Sequence, residues 1–155
     1  MVNIITENKG TLDKFVGDEI VALFGAPVDL EDHAFYACKA ALEMRQRMDE
    51  LHKKWEADNK DPLEMGIGIN TGVVTVGNLG SEQIFDYTAI GDNMNAGARI
   101  ESLTRDYETK NNIIISDSTN EQVKDKVETK FIDDAAVKGK KIIIRIHELI
   151  SVKKY

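Results

Sequence analysis

The sequence YTAIGDNMNAGARIES, residues 87–102, contains the pattern that decides how this chain is interpreted. It predicts an extended segment, a Gly-Asp turn and then a helix. Asn95 and Arg99 are four residues apart, so the helix presents both on one face. A guanidinium binds phosphate oxygens with two hydrogen bonds, and an amide can hydrogen-bond a ribose or a phosphate. The same pair also occurs on solvated helix faces, and the upstream sequence has to separate the two interpretations.

A hairpin is predicted upstream, in the sequence GTLDKFVGDEIVALFGAP of residues 10–27. Two short apolar runs flank Gly17-Asp18, and Gly-Asp between such runs is typical of a tight turn. Lys14 precedes the turn by three residues. One interpretation is a plain hairpin with solvated charges. The other is a site in which Asp18 is an oxygen ligand of a hard cation such as Mg²⁺ and Lys14 donates to a bound ligand.

Together these segments resemble the catalytic domain of class III nucleotidyl cyclases, the adenylate and guanylate cyclases. The hairpin resembles that family's second and third strands, and the Asn/Arg helix resembles its transition-state helix. The sequence MGIGINTGVVTVGNLG, residues 65–80, resembles the hairpin of its Gly-rich fourth and fifth strands. The sequence VKGK, residues 137–140, resembles a phosphate-contacting loop. The four segments follow the family's order and span nearly the whole chain.

The resemblance implies a nucleotide site and a role for each matching residue. Lys14 and Thr88 match the two purine-binding positions, and this pair is similar to that of bacterial-type adenylate cyclases. Asn95 matches the residue that orients the ribose. Arg99 matches the arginine that stabilises charge on the α-phosphate. The implied reaction converts ATP into cyclic AMP and pyrophosphate for intracellular signalling, with guanylate specificity as a minor alternative.

The resemblance also implies Mg²⁺ or Mn²⁺ as the cofactor, with Asp18 as one of two metal-binding aspartates. The family's other aspartate lies on an opening strand that has no counterpart here, and Glu19 would point away from the face of Asp18. We therefore expect an N-terminally incomplete domain with little activity alone, and a non-family dimer, a domain swap or a rearranged sheet. Lys138 or Lys140 would contact the outer phosphates, and both remain candidates.

Composition limits the alternatives. A chain of 155 residues fits one domain, residues 1–155. Its net charge of −7 argues against non-specific binding to nucleic acid or to acidic membranes. Cys38 is the only cysteine, which excludes an internal disulfide and fits a reducing compartment. No apolar run approaches the roughly 20 residues that a membrane span needs. We expect a cytoplasmic domain, either free or part of a larger sensor protein.

The remaining sequence predicts alternating helices and strands. Apolar residues recur at three- and four-residue intervals over 33–57 and predict a core-facing helix. Gly66 and Gly68 alternate with apolar residues and predict a strand that another element approaches closely. A turn at 70–72 and a returning strand at 73–76 complete the predicted second hairpin.

The predicted fold class is α+β, a ferredoxin-like, mostly antiparallel sheet with helices packed on one face. The resemblance implies a homodimer, with the metal aspartates from one copy and the purine-binding pair and Asn/Arg helix from the other. Two alternatives stay open. One is a non-catalytic nucleotide-binding or regulatory cyclase homologue, and the other is an unrelated α+β interaction domain.

Overall fold

The structure is a computed structural model that describes residues 1–136 and 142–154. Its elements in chain order are α1 (Val2–Glu7), β1 (Thr11–Val16), β2 (Glu19–Leu23), α2 (His33–Ala57), β3 (Ile67–Ile69), β4 (Thr75–Gly80), β5 (Phe85–Ile90), α3 (Asp92–Leu103), β6 (Ile113–Ser116), α4 (Asp117–Val123), β7 (Val127–Ala136) and β8 (Ile143–Val152). The α+β class is confirmed. In the described parts of the chain, no helix combines the length and hydropathy that a membrane span requires.

The first hairpin forms as predicted. β1 and β2 pair antiparallel around the Gly17-Asp18 turn, where Gly17 has a φ of 61°, in the left-handed region that favours glycine. The pairing is irregular at one point. Leu12 faces Ala22, but Lys14 faces Val21, so Asp13 is an extra residue without a cross-strand partner. This arrangement is a β-bulge, which bends a strand and re-aims a side chain.

The second predicted hairpin is wrong. β3 pairs in parallel with β6, at the edge of a four-stranded sheet of order β3-β6-β8-β7, while β4 pairs with β5 in a separate ribbon. The residues of the predicted turn at 70–72 instead contact two helices. The amide of Asn70 donates to the backbone carbonyl of Asn93 (3.0 Å), and the hydroxyls of Thr71 and Thr119 hydrogen-bond each other (2.9 Å). These residues therefore tie the end of β3 to α3 and α4.

Helices cover both faces of the four-stranded sheet, rather than the one face predicted. Successive residues of a strand point to opposite faces. Ile113 and Ile115 of β6 accordingly pack with the α2 residues Ala34, Cys38 and Ala41, and Ile114 packs with Ile100 of α3. The predicted apolar stripe of α2 is confirmed. Burial raises the pKa of the Cys38 thiol to about 12, as expected for a core cysteine.

The position of α3 depends on the glycines that precede and form β3. A Cβ built on Gly68 would lie 2.2 Å from the backbone nitrogen of Glu101 and 2.8 Å from the carbonyl oxygen of Gly97. A Cβ on Gly66 would lie 2.9 Å from Cβ of Thr104. The helix backbone thus rests directly on the strand backbone, as the alternation of glycines predicts.

Candidate active site

The candidate site includes the β1 bulge, where the consecutive side chains of Asp13 and Lys14 contact each other. Lys14 Nζ lies 3.6 Å from Asp13 Oδ2. Consecutive side chains of a regular strand would point to opposite faces, and the bulge removes that alternation. The Lys14 side chain is 43% exposed, whereas the Asp13 side chain is 0% exposed. The bulge therefore presents an accessible ammonium beside a buried carboxylate.

Thr88 on β5 completes this group. Its residue is buried, and its hydroxyl donates a hydrogen bond to Asp13 Oδ2 at 3.0 Å. Lys14 and Thr88, which are far apart in the sequence, thus meet at one carboxylate oxygen. The structure places the two predicted purine-binding residues side by side, with Asp13 between them.

The helix α3 carries the other two predicted ligand-binding residues. It begins at Asp92, with Gly91 as its N-cap. Asn95 is exposed and Arg99 is partly buried. Because four residues make about one helical turn, both lie on one face.

A small hydrogen-bond network fixes the start of α3. Asn93 accepts from Asn70 and donates its own amide to the backbone carbonyl of Val73 at 2.8 Å. A Cβ on Gly72 would lie 2.3 Å from Cγ of Asn93, so the loop passes close to this amide. The network joins the loop after β3 to the helix that follows β5, and it holds the Asn95/Arg99 face in place.

The guanidinium of Arg99 is available to a ligand. Within the described ranges, Arg99 forms no ion pair and Asn95 forms no side-chain hydrogen bond. Arg105, just beyond α3, shows the contrast, because it binds both carboxylate oxygens of Glu101, at 2.7 and 3.1 Å. This hydrogen-bonded pair raises the pKa of Arg105. Arg105 is thus bound to Glu101, whereas Arg99 has no carboxylate partner among the described residues and is available to bind an anion.

Asp18 is exposed at the tip of the β1–β2 hairpin, next to the exposed Glu19 that begins β2. No group of three or more His, Cys, Asp or Glu residues that could hold a metal occurs among residues 1–136 and 142–154. Mg²⁺ prefers octahedral oxygen coordination and keeps several waters, so one carboxylate alone is a weak ligand set. These residues therefore do not fit a two-metal centre. Lys138 and Lys140 lie outside the described residues.

The family follows from a comparison of the sequence with known proteins. A sequence model described as "Adenylate and Guanylate cyclase catalytic domain" matches residues 1–150. The chain belongs to this family. Adenylate cyclase 1 of Rhizobium meliloti is 31% identical over 149 residues, covering 96% of this chain and 22% of that protein. The adenylate cyclase of Anabaena cylindrica is 33% identical, covering 96% of this chain and 30% of that protein. The cyclase domain thus spans under a third of these relatives.

Solved structures with the same fold include enzymes named for both purines. The adenylyl cyclase CyaB from P. aeruginosa superposes with a TM-score of 0.88 at 32% identity, covering 99% of this cyclase domain and 78% of that chain. The guanylyl cyclase Cya2 superposes with a TM-score of 0.84 at 37% identity, covering 99% and 76%. Membership in the family therefore does not determine which purine nucleotide the domain binds.

Sequence reasoning missed Asp13 and Asn93 in the cyclase domain. The signal for Asp13 is an acidic residue inside an apolar strand, next to Lys14, where a carboxylate is disfavoured. A strand pattern does not reveal a bulge, so the shared position of Asp13 and Lys14 emerges only from the register. Asn93 gives no comparable signal, because asparagine is common near helix starts.

Proposed function

We propose that this cyclase domain is of the adenylate type and converts ATP into cyclic AMP and pyrophosphate. The observation that carries the proposal is the meeting of Lys14 and Thr88 at Asp13 Oδ2. This arrangement offers an ammonium donor and a hydroxyl side by side. Adenine presents a ring nitrogen that accepts and an exocyclic amine that donates, and the pair matches that pattern.

Guanine presents the opposite polarity along the same edge. Its carbonyl would meet the hydroxyl oxygen, and its ring N–H would meet the ammonium. A wrong base would leave polar groups unpaired in a desolvated site, at a cost of roughly 1–3 kcal/mol for each group. Rejection of a poorly matched base in this way is stronger than the preference between two apolar ligands.

The α3 residues would act on the rest of the nucleotide. In the proposed reaction the ribose 3′ oxygen bonds to the α-phosphorus, the bond from that phosphorus to pyrophosphate breaks, and the hydroxyl proton leaves to solvent. Asn95 would hold the ribose so that the 3′ oxygen is in line with the leaving group. Arg99 would donate to the α-phosphate oxygens, where negative charge increases in the transition state.

A divalent cation such as Mg²⁺ would lower the pKa of the 3′ hydroxyl and neutralise phosphate charge. Asp18 is the described residue proposed to contact it. Because Asp18 does not form a metal centre with other described carboxylates, we expect little turnover from this chain alone. Lys138 or Lys140 stays our proposal for the contact with the outer phosphates.

We also propose that the domain works as a homodimer in the cytoplasm, where ATP is available. Apolar side chains are exposed on the β1–β2 hairpin and on the β4–β5 ribbon. Phe15 and Val16 on the first are 60% and 52% exposed, and Leu79 and Ile90 on the second are 44% and 47% exposed. Such clusters favour association, and a second copy is the simplest partner for a cyclase domain.

A non-catalytic nucleotide-binding homologue is the second candidate. The lack of a metal-ligand cluster among the described residues favours it, because a domain that only binds nucleotide needs no two-metal centre. This candidate retains the purine-binding pair and the α3 residues. It predicts binding of ATP without formation of cyclic AMP under any metal condition.

The experiment compares ATP with GTP. We expect the chain to bind ATP more tightly than GTP by isothermal titration calorimetry, and the double variant Lys14→Glu, Thr88→Cys to reverse the preference. Retention of the ATP preference by the double variant would show that the pair is misassigned. Assays for cyclic AMP with Mg²⁺ and with Mn²⁺ address the chemistry, and robust turnover would contradict the expected low activity.

A further inference from the structure

We propose that Asp13 is a positioning residue that holds the Thr88 hydroxyl as an acceptor toward the base and thereby sets the preference for adenine. The inference rests on the proposed function, because it adds a residue to the same nucleotide site. It concerns a side chain that does not itself touch the nucleotide. Asp13 contacts both Lys14 and Thr88, and its effect on the Thr88 hydroxyl is the one that distinguishes the two bases.

The geometry fixes the direction of one hydrogen bond. A threonine hydroxyl has one proton and two lone pairs, and it rotates to suit its partners. An ionised carboxylate accepts and does not donate. Because Thr88 Oγ1 lies 3.0 Å from Asp13 Oδ2, its only proton is directed to that oxygen. The lone pairs of Thr88 are then all that its hydroxyl can offer to a ligand.

Burial restricts Asp13 to this indirect role. Its side chain is 0% exposed, so a nucleotide cannot reach the carboxylate. Its second oxygen, Oδ1, is buried and receives no hydrogen bond from any described residue. A buried oxygen without a partner lowers stability, and an apolar side chain would avoid that cost. A carboxylate held in this position, on a bulge beside Lys14, is therefore explained better by a role in the site than by packing.

The consequence is a difference between the two purines. The adenine amine donates a hydrogen bond and finds a lone pair on Thr88. The guanine carbonyl accepts, and it would face the same lone pairs with no proton between the two oxygens. If Thr88 were free to rotate, it would serve either base. Asp13 removes that freedom before the nucleotide arrives, which is preorganisation of the site.

The test is the ratio of the ATP and GTP dissociation constants, measured on the whole chain by isothermal titration calorimetry. Asp13→Leu keeps the approximate size of the side chain but removes the acceptor, so Thr88 can turn its proton toward the base. The dissociation constant for GTP divided by that for ATP should fall about tenfold, which corresponds to the free energy of one hydrogen bond. Thr88→Val is the matched control, and in that background Asp13→Leu should leave the ratio unchanged, even where the loss of the carboxylate beside Lys14 alters both dissociation constants.

The outcomes separate this inference from the proposed function. A wild-type preference for ATP that Thr88→Val reduces but Asp13→Leu leaves intact would overturn the role of Asp13 and leave the function standing. Wild-type protein that binds neither nucleotide would overturn both. If Asp13→Leu does not fold, nuclear magnetic resonance of the wild type decides. A slowly exchanging Thr88 hydroxyl proton supports the bond, and a rapidly exchanging one refutes it.

Discussion

Two arginines near the end of α3 illustrate what a sequence can and cannot specify about a single residue. Arg99 and Arg105 are the same residue type, six positions apart. Only the resemblance to cyclases, carried by Asn95 at the helical spacing, selects Arg99 as the phosphate ligand. The structure adds an independent reason, because Arg105 is held by both oxygens of Glu101 while Arg99 has no carboxylate partner among the described residues.

At the residue scale, we expect Arg99→Ala to weaken ATP binding by about tenfold to a hundredfold, since hydrogen bonds to charged groups contribute roughly 1.5–3 kcal/mol. Arg99→Lys should recover only part of that affinity, because an ammonium cannot bind two oxygens as a planar fork does. The measurement is titration with ATP by calorimetry. Arg105→Ala is the matched control and should leave affinity unchanged. Equal losses in both variants would argue against a specific role for Arg99.

At the scale of elements, local patterns predict α2, the first hairpin and the close approach of α3 to β3. Pairing between distant segments is less accessible. β3 pairs with β6 because Ile67 and Ile69 pack into the same core as Ile113 and Ile115, and no local signal in the 70–72 loop specifies that choice. The candidate site was predicted to the same extent: Lys14 and Thr88 followed from the resemblance, but their shared contact required the β1 bulge.

At the same scale, we expect Gly68→Ala to displace α3 and to lower both stability and ATP affinity. The added methyl group meets the backbone of Glu101 and Gly97, which cannot rotate away, and overpacking of this kind costs about 1–3 kcal/mol. Urea denaturation and calorimetry would measure the two effects. Gly77→Ala on β4 is the matched control, because nothing lies within 4 Å of its added Cβ. A Gly68→Ala variant as stable as the wild type would show that the close backbone contact at Gly68 does not determine the position of α3.

At the scale of the whole molecule, the described strands form three separately hydrogen-bonded units: the β1–β2 hairpin, the β4–β5 ribbon and the four-stranded sheet. The β1–β2 hairpin contacts β5 through Asp13 and Thr88. The candidate nucleotide site thus lies where separate units meet. The net charge of −7 makes copies repel one another at long range but does not prevent a local apolar contact between them.

We expect the chain to associate in solution, giving a mass by light scattering of twice the 17.3 kDa of one copy. Phe15→Asp should shift the equilibrium toward the monomer, because it places a charge in an apolar interface on the hairpin. Ile143→Asp, at an exposed position of β8, is the matched control and should not. A wild-type mass equal to one copy at all concentrations would refute the proposed dimer.

The bulge at Asp13 has a consequence for how this gene can change. An in-frame deletion of that one codon would leave Leu12 opposite Ala22 and Lys14 opposite Val21 as successive pairs, so the hairpin would close in an unbroken ladder. The mutant would gain a more regular hairpin and lose the carboxylate that Thr88 and Lys14 share. If Asp13 has the role proposed above, thermal robustness and base preference place opposite demands on these three nucleotides.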